Sequence, residues 1–531
     1  MLKSNNNSMS QTIPQPKTNS NLKFIWFTFD HVATSVAIKL IEEGNTLILA
    51  EIQDASELQT GKKEDAETKK ERLALFDGLI QKHDAKSVLK KMAKMKNKDE
   101  WVVIFDFNTL WRYSELVLKM GFKKGFFPLK KDYDFEEDRD AGKKFVAKHY
   151  PTLKVAEVHE FKKIDEGIKF LETDGSGNIY VLKSFDGDGS TVLPMSEDPE
   201  LAKEEIKGAL ELEQKEYEKK GYILEQKIIN PIEITPEAIF YDGKLVCTNI
   251  DIENKPVGSG SVGPMTGCAG NLIFKTDPKE KINKIAFPPI VQKMASLHTG
   301  LFVWDASILI DPMTGQTYFG EFCSNRWGYD ALFAELSLCD SVSAYFENII
   351  AGNSPYTKTF AAGVRMFNLK KHKDVPVIFK NDEKNVYMYD ALLKDDKIVS
   401  TGCEWDLLSA NGADNNPDKA VEKCYAILHD VNFTNGYYRP KFDFLSTEYQ
   451  NSIVNRYTYA NHKFFELPDF KKRDTKSMYQ EVIKTIEDMD KEHADTISKK
   501  DSAYAQELVN LKNKYDSEIK SIRDEVIEAL K

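Results

Sequence analysis

The most distinctive segment of the chain covers residues 258–270 and reads GSGSVGPMTGCAG. Five of these thirteen residues are glycine. Glycine lacks the Cβ atom that restricts backbone angles, so this density predicts irregular structure instead of a regular helix or strand. Two interpretations stay open: a mobile surface loop, or backbone that closes around a ligand.

A second glycine-rich segment comes earlier in the chain. Residues 179–183 read IYVLK, which is typical of a buried strand, and residues 184–191 continue as SFDGDGST. Gly187 and Gly189 would let the backbone approach a phosphate, and Lys183 would add a cation at the strand end. The pattern differs from the G-x-x-x-x-G-K-[ST] phosphate loop. A hairpin turn rich in Gly and Asp is the alternative interpretation.

Hard oxygen ligands lie close together near residue 321. Gly320–Gly328 reads GEFCSNRWG, so Glu321 and Asn325 offer a carboxylate and an amide oxygen that suit Mg²⁺. Asp305, on the preceding predicted strand, adds a second carboxylate. The alternative interpretation is a strand edge with a salt bridge from Glu321 to Arg326.

Strands and helices alternate in the N-terminal part of the chain. Lys23–Phe27, Thr46–Glu51 and Trp101–Phe107 are apolar runs that predict buried strands, and Val32–Glu43 has the apolar spacing of a helix. This alternation predicts a parallel, Rossmann-like sheet.

Bulk composition limits the classes of function. A chain of 531 residues predicts three or four packed units, and its net charge of -11 gives no broad positive surface for nucleic acid. No apolar run approaches the roughly 20 residues that span a bilayer. The six cysteines contain no C-x-x-C pair, which indicates reduced thiols. We therefore expect a cytoplasmic protein that binds neither nucleic acid nor a membrane.

Three segments of the chain are rich in polar residues. Residues 1–21 are rich in Asn, Ser, Gln and Pro and predict a disordered tail, and residues 132–140 predict an acidic linker. From about residue 467, apolar positions recur every three or four residues among Lys, Glu and Asp. This predicts a long amphipathic helix or coiled coil, which would contact its own domain, a second copy of the chain or another protein.

The order of these segments resembles the ATP-grasp fold and, within it, the phosphoribosylamine–glycine ligase family. Residues 263–270, GPMTGCAG, resemble the family's G-P-N-T-G-G-M-G, with Lys255 upstream where the family has D-H-K-R. Residues 143–148, KKFVAK, resemble its K-x-F-x-K segment with one insertion. Residues 181–189 resemble its V-V-K-A-D-G-L-A-A-G-K-G loop, and residues 321–328 resemble E-F-N-x-R-F-G.

The resemblance implies an α/β architecture. Residues 22–131 would form a Rossmann-like pre-ATP-grasp domain and residues 132–350 the ATP-grasp domain, whose small subdomain covers about 150–225. Residues 351–446 would form a small β-rich C-terminal domain. Residues 447–531 have no counterpart in the family and would form a helical, coiled-coil extension.

The resemblance also assigns roles to particular residues. The residues that would hold ATP are Lys143, Lys183, Gly187, Gly189, Glu225 and Glu233. The residues that would hold Mg²⁺ are Glu321, Asn325 and Asp305. The residues that would act on the substrate are Arg326, which would clamp a carboxylate, and Lys255, Thr266 and Gly267.

The activity that the resemblance implies is ATP-dependent ligation of an amino acid to an amine through an acyl phosphate. Phosphoribosylamine, from purine biosynthesis, would be the family's amine. The family's G-x-G-G-R-E-H-A segment is replaced here by Phe27–Ala33, FTFDHVA, and its G-G-R by Gly402–Glu404. Two alternatives therefore stay open: a ligase with a different amine substrate, and a degenerate ATP-grasp protein with a structural or assembly role.

Overall fold

The structure, a computed structural model, describes residues 22–58, 64–173, 175, 177–184, 191–228, 231–312, 314–324, 331–380, 385–446, 449 and 451–464. The predicted tail at 1–21 lies outside these ranges. Of the predicted helical extension, Ile453–Phe464 is helical, and residues 465–531 lie outside the described part. No helix in the described ranges combines the length and the apolar character that crossing a membrane requires.

The strands of the described residues are β1 Lys23–Thr28, β2 Thr46–Glu51, β3 Lys82–Asp84, β4 Trp101–Phe105, β5 Gly125–Phe126, β6 Lys154–Val155, β7 Val158–Phe161, β8 Tyr180–Ser184, β9 Tyr222–Gln226, β10 Ile232–Tyr241, β11 Lys244–Gly258, β12 Val262–Thr276, β13 Leu301–Ile310, β14 Thr317–Ser324, β15 Phe360–Phe367, β16 Ile378–Phe379, β17 Val386–Met388, β18 Leu392–Lys394, β19 Lys397–Val399, β20 Asp406–Asp414 and β21 Val431–Asn432.

The α-helices of the same residues are α1 Thr34–Glu42, α2 Ala66–Ala74, α3 Ala85–Met92, α4 Trp111–Lys119, α5 Lys130–Glu137, α6 Arg139–His149, α7 Ile164–Glu172, α8 Pro199–Leu212, α9 Gln214–Lys220, α10 Lys281–Ala286, α11 Pro289–Ala295, α12 Leu332–Ser337, α13 Val342–Ile350, α14 Pro417–Asp430, α15 Phe442–Leu445 and α16 Ile453–Phe464.

The N-terminal strands form a parallel sheet in the order β3-β2-β1-β4-β5. The three predicted strands correspond to β1, β2 and β4, so the Rossmann-like prediction is confirmed. Side chains on both faces are buried; Phe24, Ile25 and Trp26, for example, have no exposed surface. Continuous apolar runs are what a sheet covered on both faces requires.

The same sheet continues into the rest of the chain. β5 pairs with β13 in parallel, and β13, β10, β11, β12, β15 and β20 follow as antiparallel neighbours. The turn between β10 and β11 is a two-residue hairpin turn, with Asp242 at φ 46° and Gly243 at φ 74°. Strand pairing therefore crosses the predicted boundaries near 131 and 350, which stay predictions.

A separate three-stranded antiparallel sheet, in the order β7-β9-β8, lies within the predicted small subdomain. Leu182 and Leu224 are fully buried in its core. Asp198 caps the N-terminus of α8, because it accepts hydrogen bonds from the Glu200 and Leu201 amides.

The prediction of an acidic linker at residues 132–140 is wrong, since α5 and α6 occupy this segment. Asp132 is fully buried; it accepts a hydrogen bond from the Leu129 amide at 2.8 Å and faces His298 Nε2 at 2.9 Å. Asp138 accepts from the Ala141 amide at the start of α6. These acidic side chains stabilise helix starts and a buried ion pair instead of solvating a linker.

A pair of carboxyl groups is buried where α12 packs on the sheet. Glu335 and Glu237 are 2% and 1% exposed. The Tyr356 hydroxyl donates to Glu335 at 2.9 Å, and the Asn249 amide donates to Glu237 at 2.6 Å. Burial raises the pKa of Glu335 well above its ordinary value, and the charge of Glu237 adds to the rise.

We expect Glu335→Gln to stabilise the protein at neutral pH. Because folding raises the pKa of Glu335, the wild type loses stability as the pH rises from the unfolded pKa, near 4.5, toward the folded one. Glutamine keeps the shape of the side chain and an acceptor for Tyr356, and it has no carboxyl group that must stay protonated when buried. Thermal melts at pH 5 and pH 7 should show an apparent Tm gain of about 2 °C at pH 7 that shrinks at pH 5. An equal loss of Tm at both pH values would contradict this.

Candidate active site

Glu225 lies between two lysines from different elements. Its Oε2 is 2.5 Å from Lys143 Nζ, on α6, and its Oε1 is 2.9 Å from Lys183 Nζ, on β8. Val181 is the register partner of Glu225 across β8 and β9, so Lys183, two residues along, shares its face of the sheet. The three sequence-predicted residues are therefore in direct contact.

The charges of these three groups depend on one another. The Glu225 side chain is only 7% exposed. Burial by itself would raise the pKa of Glu225, but the charges and hydrogen bonds of Lys183 and Lys143 outweigh burial and lower it. The cluster places two cations around one carboxylate.

A second cluster surrounds Lys255 on β11. Lys255 Nζ is 2.8 Å from Glu233 Oε1, 3.4 Å from Glu321 Oε1 and 3.9 Å from Glu253 Oε2. Burial favours the neutral amine, yet the three carboxylates outweigh it and raise the pKa of Lys255 well above its ordinary value. Ser307 Oγ donates to Glu233 at 2.6 Å. Burial also raises the pKa of Glu233, but Lys255 reverses this and lowers it.

The Glu225 cluster and one carboxylate of the Lys255 cluster, Glu321, line one cleft. Its cavity volume is about 20 Å³, and it lies between the small sheet and β14 of the large sheet. Lys183 and Glu225 line it from the small sheet, Gly320 and Glu321 from β14, and Lys143 from α6. Aromatic rings complete the walls, namely those of Phe135, Phe319 and Phe322. Lys183 and Glu321, predicted from distant parts of the sequence, thus face the same space.

Asp305 lies close to β14 but is not among the described residues that line this cleft. It is fully buried on β13, opposite Cys323 in the strand register. One of its carboxylate oxygens accepts a hydrogen bond from the Cys323 amide at 3.1 Å. Its predicted role as a metal ligand stays a prediction. No cluster of three metal-ligating His, Cys, Asp or Glu side chains is present in the described ranges.

The prediction of irregular structure at residues 258–270 is wrong for most of the segment. Lys244–Gly258 and Val262–Thr276 are β11 and β12, which pair as a long hairpin whose turn is a short 3-10 helix, Ser259–Ser261. Gly260 and Gly263 have φ of 70° and 89°, a region that favours glycine. The glycines permit the turn and the two register shifts beside it.

Thr266 and Gly267 therefore lie on β12 near the end of this hairpin. The Thr266 hydroxyl donates to the Lys255 carbonyl oxygen at 2.6 Å, across the hairpin. Gly187, Gly189, Asn325 and Arg326 lie outside the described residues, so their predicted roles stay predictions.

Sequence reasoning missed several groups of this site. Glu136, on α5, lines the cleft, and Glu253 lies beside Lys255. Burial raises the pKa of Glu253, with a smaller opposing effect of Lys255. The alternation along β11 could have identified Glu253, since it shares a strand face with Lys255. Glu136 was assigned to the linker that proved to be helical.

Comparison with known proteins supports the fold. No protein-family model matches the chain, and no curated protein matches it. Among solved structures it is similar to phosphoribosylamine–glycine ligase from Thermotoga maritima, with 15% identity and a TM-score of 0.55, covering 79% of this chain and 99% of that chain. It is also similar to pyruvate carboxylase from Rhizobium etli, with 12% identity and a TM-score of 0.50, covering 86% of this chain and 42% of that chain.

At these identities the similarity concerns the fold, and the chain has the mixed α/β architecture of ATP-grasp proteins. The prediction of this fold class is confirmed. The cleft with its two charged clusters lies between the two sheets of that architecture.

We expect Glu225→Gln to destabilise the protein at neutral pH by about 3 kcal/mol, because two buried cations would lose their shared carboxylate. Folding lowers the pKa of Glu225, so its stabilising contribution is present above the unfolded pKa and disappears as the pH falls through the folded pKa. Thermal melts should therefore separate variant and wild type at pH 7, and the difference should shrink only as the pH falls below the unfolded pKa, near 4.5.

Glu200→Gln is the matched control for this prediction. Glu200 pairs with Lys203 on the surface of α8, and its side chain is 69% exposed. Exposed pairs contribute little to stability, so its melting temperature should equal that of the wild type. Equal effects of the two substitutions would show that the Glu225 cluster is an ordinary surface network.

Proposed function

We propose that this protein is an ATP-dependent ligase that joins a carboxylate to an amine through an acyl phosphate. The observation that carries the proposal is that Lys183 and Glu321 line one cleft. A cationic side and an acidic side across one space suit a nucleotide triphosphate that carries a divalent metal ion.

The cationic side would bind the phosphates. Lys143 and Lys183 both line the cleft and would face its anionic ligand. The Lys183 ammonium group has three hydrogens, so it can donate to a phosphate as well as to Glu225. The aromatic walls, including Phe135 and Phe319, would keep bulk water away from part of the nucleotide.

The acidic side would hold Mg²⁺. Glu321 is 47% exposed and faces the cleft, and Glu233 and Glu321 carry more negative charge than Lys255 balances. Mg²⁺ in nucleotide sites commonly takes one or two carboxylates and keeps phosphate and water oxygens, so Glu321 fits without a preformed protein cage. When bound, the ion would neutralise charge on the β and γ phosphates.

The proposed reaction has two displacements. A carboxylate oxygen of the first substrate attacks the γ phosphorus, the bond to the bridging oxygen breaks, and ADP leaves. The amine then attacks the acyl carbon, inorganic phosphate leaves, and the nitrogen loses a proton. Lys255, whose raised pKa keeps it cationic, would stabilise negative charge on the acyl phosphate. Thr266 would help to fix Lys255 through their hydrogen bond.

An amino acid would be the carboxylate substrate, and phosphoribosylamine or another amine the acceptor. Glycine with phosphoribosylamine is therefore the first pair to test, followed by other amines with the same acid.

One observation favours a second candidate function. Glu225 already occupies a hydrogen-bonding position on both Lys143 and Lys183. A protein that keeps these groups only to hold its fold would act as an ATP-grasp scaffold without turnover. Isothermal titration with Mg-ATP separates the two candidates, because the scaffold would not bind the nucleotide.

We expect Lys183→Met to weaken Mg-ATP binding by roughly 10-fold to 100-fold, the usual cost of one charged hydrogen bond. Isothermal titration calorimetry measures the change. Lys219→Met is the control, because Lys219 is an exposed lysine on α9, in the same subdomain but away from the cleft. Equal affinities for Lys183→Met and Lys219→Met would exclude Lys183 from the nucleotide site.

We expect Glu321→Gln to abolish Mg²⁺-dependent phosphate release while the melting temperature stays within about 2 °C of wild type, since the side chain is half exposed. Phosphate release from Mg-ATP would be measured with glycine and phosphoribosylamine over a range of Mg²⁺ concentrations. Glu160→Gln, an exposed position on β7, is the control. Normal turnover of Glu321→Gln would show that the metal lies elsewhere.

A further inference from the structure

Side chains near the C-terminal end of the described residues donate hydrogen bonds to the β11–β12 hairpin. Arg439 Nη1 donates to the Pro256 carbonyl at 2.8 Å, and Arg456 Nη1 donates to the Glu253 carbonyl at 2.8 Å. Arg456 Nη2 also donates to Asn254 Oδ1 at 2.5 Å. Two arginines therefore bind the backbone on either side of Lys255.

Asp443 completes this arrangement at the turn of the hairpin. Its Oδ1 accepts hydrogen bonds from Ser259 Oγ at 3.0 Å and from the Gly260 amide at 3.3 Å. Its Oδ2 is 2.9 Å from Arg439 Nε. We call Arg439, Asp443 and Arg456 the C-terminal clasp.

All three clasp residues are buried, with Arg439 and Asp443 at 0% exposure and Arg456 at 8%. Burying a charge is costly unless the charge is paired and hydrogen-bonded. Arg456 binds neutral acceptors, and burial lowers its pKa to about 10, with Glu233 opposing the shift. It stays cationic at neutral pH and so adds positive charge on the acidic side of the site.

The clasp binds the hairpin where the pairing of β11 with β12 is irregular. The pairing of β11 with β12 shifts register between Asn254 and Pro256 and again between Pro256 and Gly258. Lys255 lies inside this irregular stretch, which lacks continuous ladder hydrogen bonds to fix it. Side-chain donors from the clasp replace them.

We propose that the C-terminal clasp positions Lys255 between Glu233 and Glu321, with Arg456 as the main positioning residue. This inference rests on the proposed function, in which that cluster handles the metal-bound phosphates. Arg456 reaches Lys255 only through the hairpin backbone and is not a catalytic residue. Arg456 lies on α16 and is separated from Glu253 by 203 residues. Its hydrogen bond to the Glu253 carbonyl therefore connects α16 to the reaction centre.

The test compares three single variants of the full chain. Arg456→Met keeps the apolar stem and removes the guanidinium group, and Arg456→Lys keeps the charge without the two-pronged donor. Tyr459→Phe is the matched control, because the Tyr459 hydroxyl on the same helix donates to the Pro312 carbonyl at 3.1 Å, away from the hairpin.

Hydrogen exchange measured by mass spectrometry is the first readout. In Arg456→Met, the amides of Glu253, Asn254, Lys255 and Val257 should exchange about 10-fold faster than in wild type, because the guanidinium group no longer holds the Glu253 carbonyl and the Asn254 side chain. Arg456→Lys should lie between the two, and Tyr459→Phe should match wild type. Unchanged exchange in Arg456→Met, or an equal rise in Tyr459→Phe, would overturn the clasp.

The second readout separates positioning from general destabilisation. ATP affinity would be measured by titration calorimetry with EDTA and with Mg²⁺. Arg456→Met should keep the Mg²⁺-free affinity within about 2-fold of wild type and lose most of the gain that Mg²⁺ provides, since Lys143 and Lys183 do not depend on the hairpin. An unchanged Mg²⁺ gain would overturn the positioning role. Faster exchange together with no ATP binding by the wild type would instead overturn the proposed function and keep the clasp as a structural device.

Discussion

The contact of Glu225 with Lys143 and Lys183 is the interaction on which the site depends. Two lysines from α6 and β8 could not approach one buried position without a carboxylate between them, because like charges repel strongly where water is scarce. Glu225 keeps both ammonium groups close. The small sheet supplies this carboxylate on its central strand, β9, so the cationic side of the cleft is built into the strand order.

Around Lys255, carboxylates outnumber the lysine, and several elements of the fold hold these groups in place. Lys255 is surrounded by carboxylates from β10, β11 and β14, and its position follows from the irregular hairpin that carries it. The hairpin is in turn fixed by side chains from the end of the described chain. A cleft lined both by lysines and by carboxylates is the arrangement that a metal-bound triphosphate would need.

Local sequence was sufficient wherever local physics decides the structure. Apolar runs predicted β1, β2 and β4 because these strands are buried within the sheet. Local sequence was not sufficient where the interacting residue is distant in the chain. Asp132 lies in an acidic segment whose composition is typical of a linker, and its partner His298 is 166 residues away in the sequence. Similarly, nothing near residue 258 indicates that pairing with β11 and contacts with the clasp would order the glycine-rich segment, which forms the turn and the first part of β12.

The candidate site shows the same division. Resemblance to a family placed Lys143, Lys183 and Glu225 together, and the structure brings them into contact. It could not reveal Arg456, because the acceptors of that side chain lie on β11 and are backbone or amide oxygens without a sequence signature. Buried charges that bind backbone are set by tertiary structure and leave little trace in a local pattern.

The most direct measurement is a crystal structure of the full chain with Mg²⁺ and a non-hydrolysable ATP analogue. The account predicts phosphate oxygens within hydrogen-bonding distance of the Lys143 and Lys183 ammonium groups and a metal ion bound to the Glu321 carboxylate. A nucleotide bound on another surface, or a cleft in which Glu225 still blocks both lysines at saturating analogue, would contradict it.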